Sequence, residues 1–451
     1  MATFVAHRGN AELVVPARAT AREARPLSDI DSSPGLRSYM TLIEFFGCRV
    51  PGGAPKQLAS SLKAALAEAL VYYYPVAGRL RELPGRRKLV VDCTAEGAVF
   101  VEARADVRLE DLGTPLVPPF PCVDELICDV GDVTTGIGKP LLYLQMTQLR
   151  CGGLVVAMTT CHSVADGFGM VQILRCILDL ARGQPVPAVF PLWERHLLAS
   201  SIPAAMLPEN EASPTMLRTL TSMPPPITDE LVTKSFLFGP TEIAALRRGL
   251  PGRLARSSTV FELITAAVWR CRVAALEYAP DKRVRVTLAK NARGSWKREP
   301  RLPPGFYGNA VMGTTAEASA GELCRGSLVR AVELVREAKL KLTDERLREV
   351  LDLLARNEYA GANLFDGGFA VSDMSRCGNA SLELGSWAER IGGGTPGAGG
   401  VIATLSSIYM SCKDSNGDEC VAVPMCLPEL PMRRFMSQIA AVTKVIASSS
   451  M

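Results

Sequence analysis

The spacing of apolar residues along the chain predicts alternating helices and strands. Leucines recur at every fourth position within 56–73, which predicts a helix with one buried face. Two apolar segments, 141–149 and 154–160, flank a Cys-Gly-Gly turn and predict a hairpin whose second strand is buried on both faces. Apolar residues at helical spacing then predict a helix over 168–181, which ends before Gly183.

The second half of the chain repeats this mixture of elements. Amphipathic patterns predict helices over 259–276 and 327–342, and an apolar run predicts a strand over 284–289. Residues 185–228 differ, because they contain many prolines and few periodic apolar positions. Such a composition is typical of a linker between domains, so we expect a long crossover there.

Length and composition favour two globular domains on either side of this crossover. The chain has 451 residues, of which 48% are hydrophobic and 21% are charged, the proportions of an ordinary globular protein. At about 100–200 residues per domain, two domains are the simplest division. We therefore predict an N-terminal domain over 1–184, a linker over 185–228 and a C-terminal domain over 229–451.

Charge and cysteine content argue against several classes of function. The 50 basic and 46 acidic residues leave a net charge of +4, which is too small to favour a nucleic-acid partner. The 13 cysteines show no paired spacing with histidines. We therefore expect neither a metal site nor a disulfide framework, and reduced thiols instead.

The ends and the apolar runs of the chain bear on its location. No apolar run approaches the roughly 18 residues that span a bilayer, and the start lacks the pattern of a signal peptide. We therefore expect a soluble cytoplasmic protein with no membrane span. The C-terminal Ser449-Ser450-Met451 loosely resembles the peroxisomal signal Ser-Lys-Leu, which leaves import into peroxisomes as an alternative.

One of the three histidines has the surroundings of an active-site residue. His7 lies near the N-terminus and His196 in the predicted linker, whereas His162 directly follows the predicted buried strand. An ordinary pKa of about 6.5 leaves an imidazole neutral and basic near pH 7, which suits general base catalysis. Asp166, four residues later, could hold the ring or the loop, and Gly167 allows a tight turn.

The octapeptide at 160–167 leaves other interpretations open. A histidine at this place could also satisfy a buried turn without any role in catalysis. A serine hydrolase would need an activated serine, but no Gly-x-Ser-x-Gly motif is present, and Ser163 is poorly placed beside the histidine. From this segment alone, a general base and a purely structural histidine both remain open.

Segments elsewhere in the chain resemble the plant BAHD acyltransferases, which carry a His-x-x-x-Asp-Gly motif in mid-chain. The matching segments are Tyr-Pro-Val-Ala-Gly-Arg at 74–79, Cys-Thr-Ala-Glu-Gly at 93–97, Asn-Ala-Arg at 291–293 and Gly-Phe-Tyr-Gly-Asn at 305–309. Within this family the chain resembles the benzyl alcohol O-benzoyltransferases. That similarity lies in the segments 118–122, 192–196 and 371–373.

The resemblance implies an α/β (α+β) fold of two chloramphenicol acetyltransferase-like domains, each a mixed sheet flanked by helices. A channel would run between the domains, with acyl-CoA entering one mouth and a small alcohol the other, and His162 would stand midway. Acyl-CoA would be a co-substrate, without a permanently bound cofactor or metal. Relatives also suggest a monomer.

The resemblance further implies a role for the residues around the histidine. Asp166 would point away from the channel and pair with Arg293, so that it fixes the loop, including Gly167, and relays no proton. A bidentate Arg–carboxylate pair has a specific geometry, which suits that role. The alternative for Arg293 is an ordinary surface charge.

One family signature is altered in this chain. The pattern Asp-Phe-Gly-Trp-Gly is expected shortly after a Val-Ser-Asp segment, where the chain has Glu383-Leu384-Gly385-Ser386-Trp387. Only Gly385 is retained. In relatives this loop shapes the channel and its CoA side. An altered acyl preference, or a catalytically impaired homologue that binds CoA or a protein partner, is therefore an alternative to a fully active enzyme.

The expected reaction is transfer of a benzoyl group from benzoyl-CoA to benzyl alcohol, which forms benzyl benzoate. His162 would act as the general base in a direct transfer, without an acyl-enzyme. Other acyl-CoA donors, such as acetyl-CoA, are alternatives. Other acceptors, such as a different small alcohol, a terpenoid or an amine, are also alternatives.

Overall fold

The computed structural model describes residues 3–49, 57–84, 88–202, 230–293, 300–356, 366–398 and 403–444. The α-helices within these ranges are α1 (Leu58–Tyr72), α2 (Val123–Leu126), α3 (Gly167–Ala181), α4 (Pro240–Arg248), α5 (Gly252–Ser257), α6 (Val260–Ala275), α7 (Ala320–Arg325), α8 (Leu328–Leu340), α9 (Asp344–Ala355) and α10 (Glu429–Thr443). The β-strands are β1 (Ala6–Arg8), β2 (Glu12–Val14), β3 (Ala24–Pro26), β4 (Tyr39–Cys48), β5 (Arg79–Glu82), β6 (Leu89–Asp92), β7 (Ala98–Ala105), β8 (Leu142–Leu149), β9 (Leu154–Cys161), β10 (Leu231–Phe238), β11 (Arg283–Asn291), β12 (Val311–Ser319), β13 (Gly368–Asp373), β14 (Ala388–Gly394), β15 (Ser406–Lys413) and β16 (Glu419–Pro428).

The first sheet has seven strands in the order β1-β7-β8-β9-β4-β14, with β2 also paired to β7. β7 and β8 run parallel and the other neighbours run antiparallel, so the sheet is mixed. The predicted hairpin is confirmed, because β8 and β9 pair antiparallel around the Cys-Gly-Gly turn. The predicted helices on either side of it are α1 and α3, and they too are confirmed.

β9 is buried along its whole length because two separate cores cover the two faces of the sheet. Leu154, Val156 and Met158 pack in one core together with the leucine stripe of α1 and the apolar face of α3. Val155 and Ala157 pack in a different core on the opposite face. Alternate side chains of a strand point to opposite faces, so a fully apolar strand fits this position.

The second sheet has six strands in the order β10-β16-β15-β13-β11-β12. β13 runs parallel to β11 and β15, and the remaining pairs are antiparallel. Helices α6, α8 and α10 pack over its core, in which Trp269 and Phe435 are fully buried. Two mixed sheets flanked by helices confirm the predicted fold class, and α6, α8 and β11 confirm the predicted elements of this half.

β14 joins the last part of the chain to the first sheet. It pairs antiparallel with β4, with Ala388 opposite Cys48 and Gly394 opposite Ile43. Most other contacts of β4 are with β9, so β14 completes the edge of a sheet whose other strands come from the first half. The division of the chain at the crossover 185–228 stays a prediction.

The described part of that crossover contains a short 3-10 helix at Arg195–Leu198. A small third sheet, β3-β6-β5, lies in the first half. No helix within the described ranges is long and apolar enough to cross a membrane. The residues at 449–451 that loosely resemble a peroxisomal signal lie outside the described residues.

Candidate active site

His162 lies between the end of β9 and the start of α3. Its backbone N–H donates to the Ser38 carbonyl at 2.8 Å, and its carbonyl accepts a hydrogen bond from Asn309 Nδ2 at 2.6 Å. The residue is partly exposed, but the Nδ1 atom of its ring is buried without a hydrogen-bond partner. Nε2 is therefore the ring nitrogen left to face a ligand.

A cavity of about 1000 Å³ opens at this ring. Residues of both halves line it, among them Met40, His162 and Phe168 from the first half and Phe261 and Leu288 from the second. Small-molecule sites in proteins usually have volumes of about 300–1,000 Å³, so this cavity is at the upper end of that range.

Burial in this wall lowers the pKa of His162 below its ordinary value of 6.5. The backbone carbonyl of the residue itself and the negative charge of Asp166 oppose this effect, but they are weaker. A lowered pKa keeps the imidazole neutral across the neutral pH range. The ring can therefore accept a proton there.

Asp166 fixes the start of the helix that follows the histidine. Its Oδ1 accepts a hydrogen bond from the Gly169 N–H at 3.0 Å, which caps α3. Its Oδ2 accepts from Arg293 Nη1 at 2.7 Å and from the Ala310 N–H at 3.0 Å. The side chain is 2% exposed, and none of these three donors is the imidazole. Gly167 begins α3 and also lines the cavity.

Arg293 connects this loop to the second half of the molecule. The ion pair with Asp166 that the resemblance implies is present. The same guanidinium donates from Nε to the Phe306 carbonyl at 3.1 Å and from Nη2 to the Gly308 carbonyl. Its side chain is 18% exposed, so Arg293 is not a simple surface charge. Arg293 therefore links the Asp166 carboxylate directly to the segment 305–309 of the second half.

A second buried carboxylate, which the sequence analysis missed, supports the same loop. Asp31 Oδ1 accepts from Asn309 Nδ2 at 2.8 Å and from the Asn309 N–H at 2.9 Å, and its Oδ2 accepts from Arg195 Nη1 at 2.9 Å. Asn309 Nδ2 also donates to the His162 carbonyl, and Arg195 Nη2 donates to the Val164 carbonyl at 2.7 Å. This network therefore holds the backbone of the histidine itself.

Arg195 reaches this network through a stack of aromatic rings. Its guanidinium lies 4.4 Å from the ring centre of Trp193 and 4.8 Å from that of Tyr307. A Cβ on Gly308 would lie 1.9 Å from Arg195 Nη1, so glycine is needed at that position. This packing accounts for much of the Gly-Phe-Tyr-Gly-Asn segment. The sequence pattern did not indicate that Asp31 is buried, because an aspartate in a polar stretch is usually exposed.

Comparison with known proteins now identifies the family. A family model described as the Transferase family matches residues 8–442. The chain belongs to this family. It is 46% identical to Acyl transferase 1 of Oryza sativa subsp. japonica, over 98% of this chain and 96% of that protein. It is 42% identical to Spermidine hydroxycinnamoyltransferase 1 of the same organism, over 92% and 94% of the two chains. Identity to Benzyl alcohol O-benzoyltransferase of Petunia hybrida is 40%, over 98% and 94%.

Solved structures share the fold of this chain. Vinorine synthase matches with a TM-score of 0.72 at 18% identity, over 97% of this chain and 100% of that one. TRI101 of F. sporotrichioides, complexed with coenzyme A and T-2, matches with a TM-score of 0.67 at 17% identity, over 91% and 96%. The shared fold and the named relatives confirm the resemblance to BAHD acyltransferases. The chain is an acyltransferase.

In this acyltransferase the altered signature segment, 383–387, packs against the first half. Glu383 forms an ion pair with Arg182 at the end of α3, at 3.1 Å, and its side chain is 68% exposed. Leu384 is buried in the core of the first sheet, and Trp387 packs at the edge of that core. Gly385 has a φ of +104°, a backbone conformation that favours glycine. The retained glycine therefore has a local structural reason.

None of the five residues of the segment 383–387 lines the cavity around His162. Ser386 is exposed, and the Trp387 carbonyl accepts a hydrogen bond from the Arg49 N–H at 2.7 Å. The segment therefore does not form the wall beside the histidine. A role of this segment on the CoA side of the channel stays a prediction.

Two lysines give one part of the cavity a positive character. Lys290 in β11 and Lys339 in α8 both line it. Burial lowers the pKa of Lys290, and the nearby charge of Lys339 lowers it further. Glu262 accepts a hydrogen bond from Lys339 Nζ at 2.6 Å. The wall also includes Thr259, the N-cap of α6, where the helix dipole adds positive potential. This part of the cavity suits an anionic group.

A buried ion pair joins β4 to β14, and its arginine, Arg390, lines the cavity. Arg390 Nε donates to Glu44 Oε2 at 2.6 Å, and their side chains are 9% and 0% exposed. Burial raises the pKa of Glu44 to about 7, although Arg390 opposes this effect. The two residues lie 346 positions apart in the chain. No local sequence pattern could have predicted their contact.

The possible metal ligands and the cysteine thiols are the other reactive groups of the molecule. Within the described ranges, no group of three histidine, cysteine or acidic side chains is arranged to hold a metal ion. All 13 cysteines are free thiols. Burial raises the pKa of Cys161, next to the histidine, to about 11. That thiol stays protonated at neutral pH, so a Cys–His nucleophile is disfavoured.

Proposed function

We propose that this acyltransferase transfers a benzoyl group from benzoyl-CoA to benzyl alcohol, with His162 as the general base. The observation that carries the proposal is a neutral imidazole that lines a cavity bounded by both halves of the molecule. Similarity to Benzyl alcohol O-benzoyltransferase, at 40% identity over nearly the whole chain, supports this choice of substrates.

The proposed reaction is a direct transfer within a ternary complex. His162 Nε2 accepts the hydroxyl proton while the alcohol oxygen attacks the thioester carbonyl carbon. The tetrahedral intermediate collapses, the C–S bond breaks, and the CoA sulfur takes the proton back from His162. General base catalysis of this kind contributes roughly 10²–10⁴-fold to the rate, and positioning contributes more.

The residues around the base position it and touch no reacting atom. Asp166 and Arg293 hold the start of α3, and Asp31 and Asn309 hold the carbonyl of the histidine. Because Asp166 is occupied by three other donors, it does not relay the proton. The imidazole alone then takes the proton from the alcohol and returns it to sulfur.

The charge distribution of the cavity supports acyl-CoA as the donor. The phosphates of CoA are anionic, and the lining lysines Lys290 and Lys339 offer a complementary wall near the N-terminus of α6. TRI101, which shares the fold, was crystallised with coenzyme A. The apolar side chains of Ile30, Leu36 and Met40 also line the cavity and suit an aromatic alcohol.

An amine acceptor is the second candidate. The chain is 42% identical to Spermidine hydroxycinnamoyltransferase 1. Two carboxylates, Asp373 and Glu419, line the cavity and would attract a cationic polyamine. In that case His162 would take a proton from the attacking nitrogen and leave the rest of the mechanism unchanged.

A catalytically impaired homologue is the competing function of another class, because the signature segment 383–387 is altered. Such a protein would bind CoA or a protein partner and transfer nothing. A monomeric state, a cytoplasmic location and the peroxisomal alternative all stay predictions. They are independent of the proposed chemistry.

The test is a panel of donors and acceptors with release of the CoA thiol as the readout. Benzoyl-CoA, acetyl-CoA and a hydroxycinnamoyl-CoA are each combined with benzyl alcohol, an aliphatic alcohol and spermidine. We expect the highest kcat/KM for benzoyl-CoA with benzyl alcohol. Faster release with spermidine would select the amine. No release above the acceptor-free control, with any pair, would favour the binding role.

A further inference from the structure

Two cysteines stand opposite each other in the cavity wall. Cys412 in β15 and Cys420 in β16 are direct partners in an antiparallel pair of strands. Directly opposite residues project from the same face of a sheet, with Cβ atoms about 4.5–5.5 Å apart. Both cysteines line the cavity that contains His162, and both are free thiols. The proposed acyl transfer uses neither of them.

The surroundings of the two sulfurs limit how a reagent can reach them. Cys412 is 8% exposed and Cys420 is 6% exposed, and both pack with the fully buried Ala422. A Cβ on the cavity-lining Gly239 would lie 2.9 Å from Cys420 Sγ, so this glycine leaves room for the sulfur. Both cysteines are therefore mostly buried, but they border the cavity side by side.

The protonation state of the thiols selects the kind of reagent. Burial raises the pKa of Cys412 to about 12 and also raises the pKa of Cys420. Both thiols are therefore protonated at neutral pH, and neither reacts quickly with an electrophile that a single thiolate must attack. A reagent that binds two thiols depends less on the thiolate fraction, because its second bond makes the product more stable. Once one bond has formed, the second forms within the same molecule at a high effective concentration.

The spacing of the pair also favours a bridging atom over a disulfide. A disulfide holds its Cβ atoms about 3.5–4.5 Å apart, whereas opposite residues of an antiparallel pair lie at about 4.5–5.5 Å. One large thiophilic atom between the sulfurs spans the longer distance with less distortion of the sheet. Trivalent arsenic has this bonding preference and binds two thiols.

We propose that Cys412 and Cys420 form a dithiol site for trivalent organoarsenicals, and that its occupation closes the cavity to substrates. With phenylarsine oxide, each sulfur forms one As–S bond and the arsenic–oxygen bonds break. The two thiol protons leave with the oxygen as one water molecule. No atom changes its oxidation state, so the reaction needs no oxidant or reductant. The closing effect rests on the proposed acyl transfer, whereas the binding does not.

The test combines intact-protein mass spectrometry with an assay of ester product by gas chromatography. One equivalent of phenylarsine oxide should add one phenylarsenic group and lower the activity of the full chain at least tenfold. Treatment with 2,3-dimercaptopropanol should restore mass and activity, whereas an excess of a single thiol should restore neither. Saturating coenzyme A should slow the modification, because it occupies the same cavity.

Serine variants test whether the arsenic adduct forms at Cys412 and Cys420. Cys412→Ser and Cys420→Ser each remove one sulfur, and each variant is compared with its own untreated activity. Both should lose the bridged adduct and resist inactivation. Cys324→Ser is the matched control, because Cys324 is a partly buried thiol that does not line the cavity. It should be modified and inactivated like the unaltered chain.

The outcomes separate this proposal from the proposed function. A bridged adduct that forms equally in both serine variants would overturn the dithiol site. An adduct on the pair that leaves activity unchanged would overturn the closing of the cavity. If the untreated chain transfers no acyl group from any donor, the proposed function fails, while the mass measurements still decide whether the dithiol site exists.

Discussion

The loop that carries His162 and the segment 383–387 correspond to the two signatures of the BAHD family, yet their carboxylates have opposite surroundings. Asp166 is 2% exposed and accepts hydrogen bonds from three donors. Glu383 is 68% exposed and pairs with Arg182 at the surface of the molecule. The first signature is intact in this chain, and the second is altered.

The difference in burial predicts different energetic costs for losing the two carboxylates. Loss of a buried carboxylate leaves its donors unpaired in a place where water cannot replace it, which costs several kcal/mol. An exposed ion pair contributes about 0–1 kcal/mol, because water and salt screen it. A glutamate at 383 therefore maintains an ion pair with Arg182 at little cost. Neither Glu383 nor Arg182 lines the cavity around His162.

Removal of the imidazole should produce the largest effect. His162→Ala should lower kcat by roughly 10²–10⁴-fold, because no other described base lies at the same place in the cavity. His196→Ala is the control, since that side chain is 73% exposed and outside the cavity. Steady-state kinetics with the best donor and acceptor give the comparison. Wild-type kcat in His162→Ala, with unaltered folding by circular dichroism, would contradict the assignment of the base.

Removal of the buried carboxylate should mainly affect folding. Asp166→Ala leaves Arg293 and two backbone N–H groups without their partner, so the free energy of unfolding should fall by roughly 3–5 kcal/mol. Activity should fall as well, because the loop that holds His162 loosens. Urea denaturation followed by tryptophan fluorescence measures the change. A midpoint equal to that of the unaltered chain would mean that the buried pair does not hold the loop.

Some of this contrast could be predicted from the sequence, and some could not. Periodicity predicted β9 and α3, which flank His162, and the resemblance implied the ion pair between Asp166 and Arg293. Asp31 and the Glu44–Arg390 pair were missed, because each depends on contacts between distant parts of the chain. The solvent exposure of Glu383 could not be predicted either, because a motif specifies residue types and not their burial.

The pH dependence of the reaction should report the buried imidazole. Burial lowers the pKa of His162 below 6.5, so the neutral base persists into mildly acidic solution. kcat/KM should be flat above neutral pH and fall about tenfold per pH unit once the pH is below that pKa. Glu44, with a pKa raised to about 7, titrates in the same pH range, so the profile is also measured in Glu44→Gln, which has no carboxyl at this position. An acidic limb centred above pH 6.5 in Glu44→Gln would contradict the lowered pKa.

Removal of the exposed Glu383 carboxylate should have the smallest effect. Glu383→Ala removes only an exposed ion pair with Arg182, so the free energy of unfolding should change by less than about 1 kcal/mol. The KM for acyl-CoA should stay within about twofold, because residue 383 does not line the cavity.

Leu384→Ala is the matched control in the same segment, since truncation of this buried leucine should lower the free energy of unfolding by roughly 2–5 kcal/mol. A large rise in KM for acyl-CoA in Glu383→Ala, with normal stability, would instead assign this segment to the CoA side of the channel.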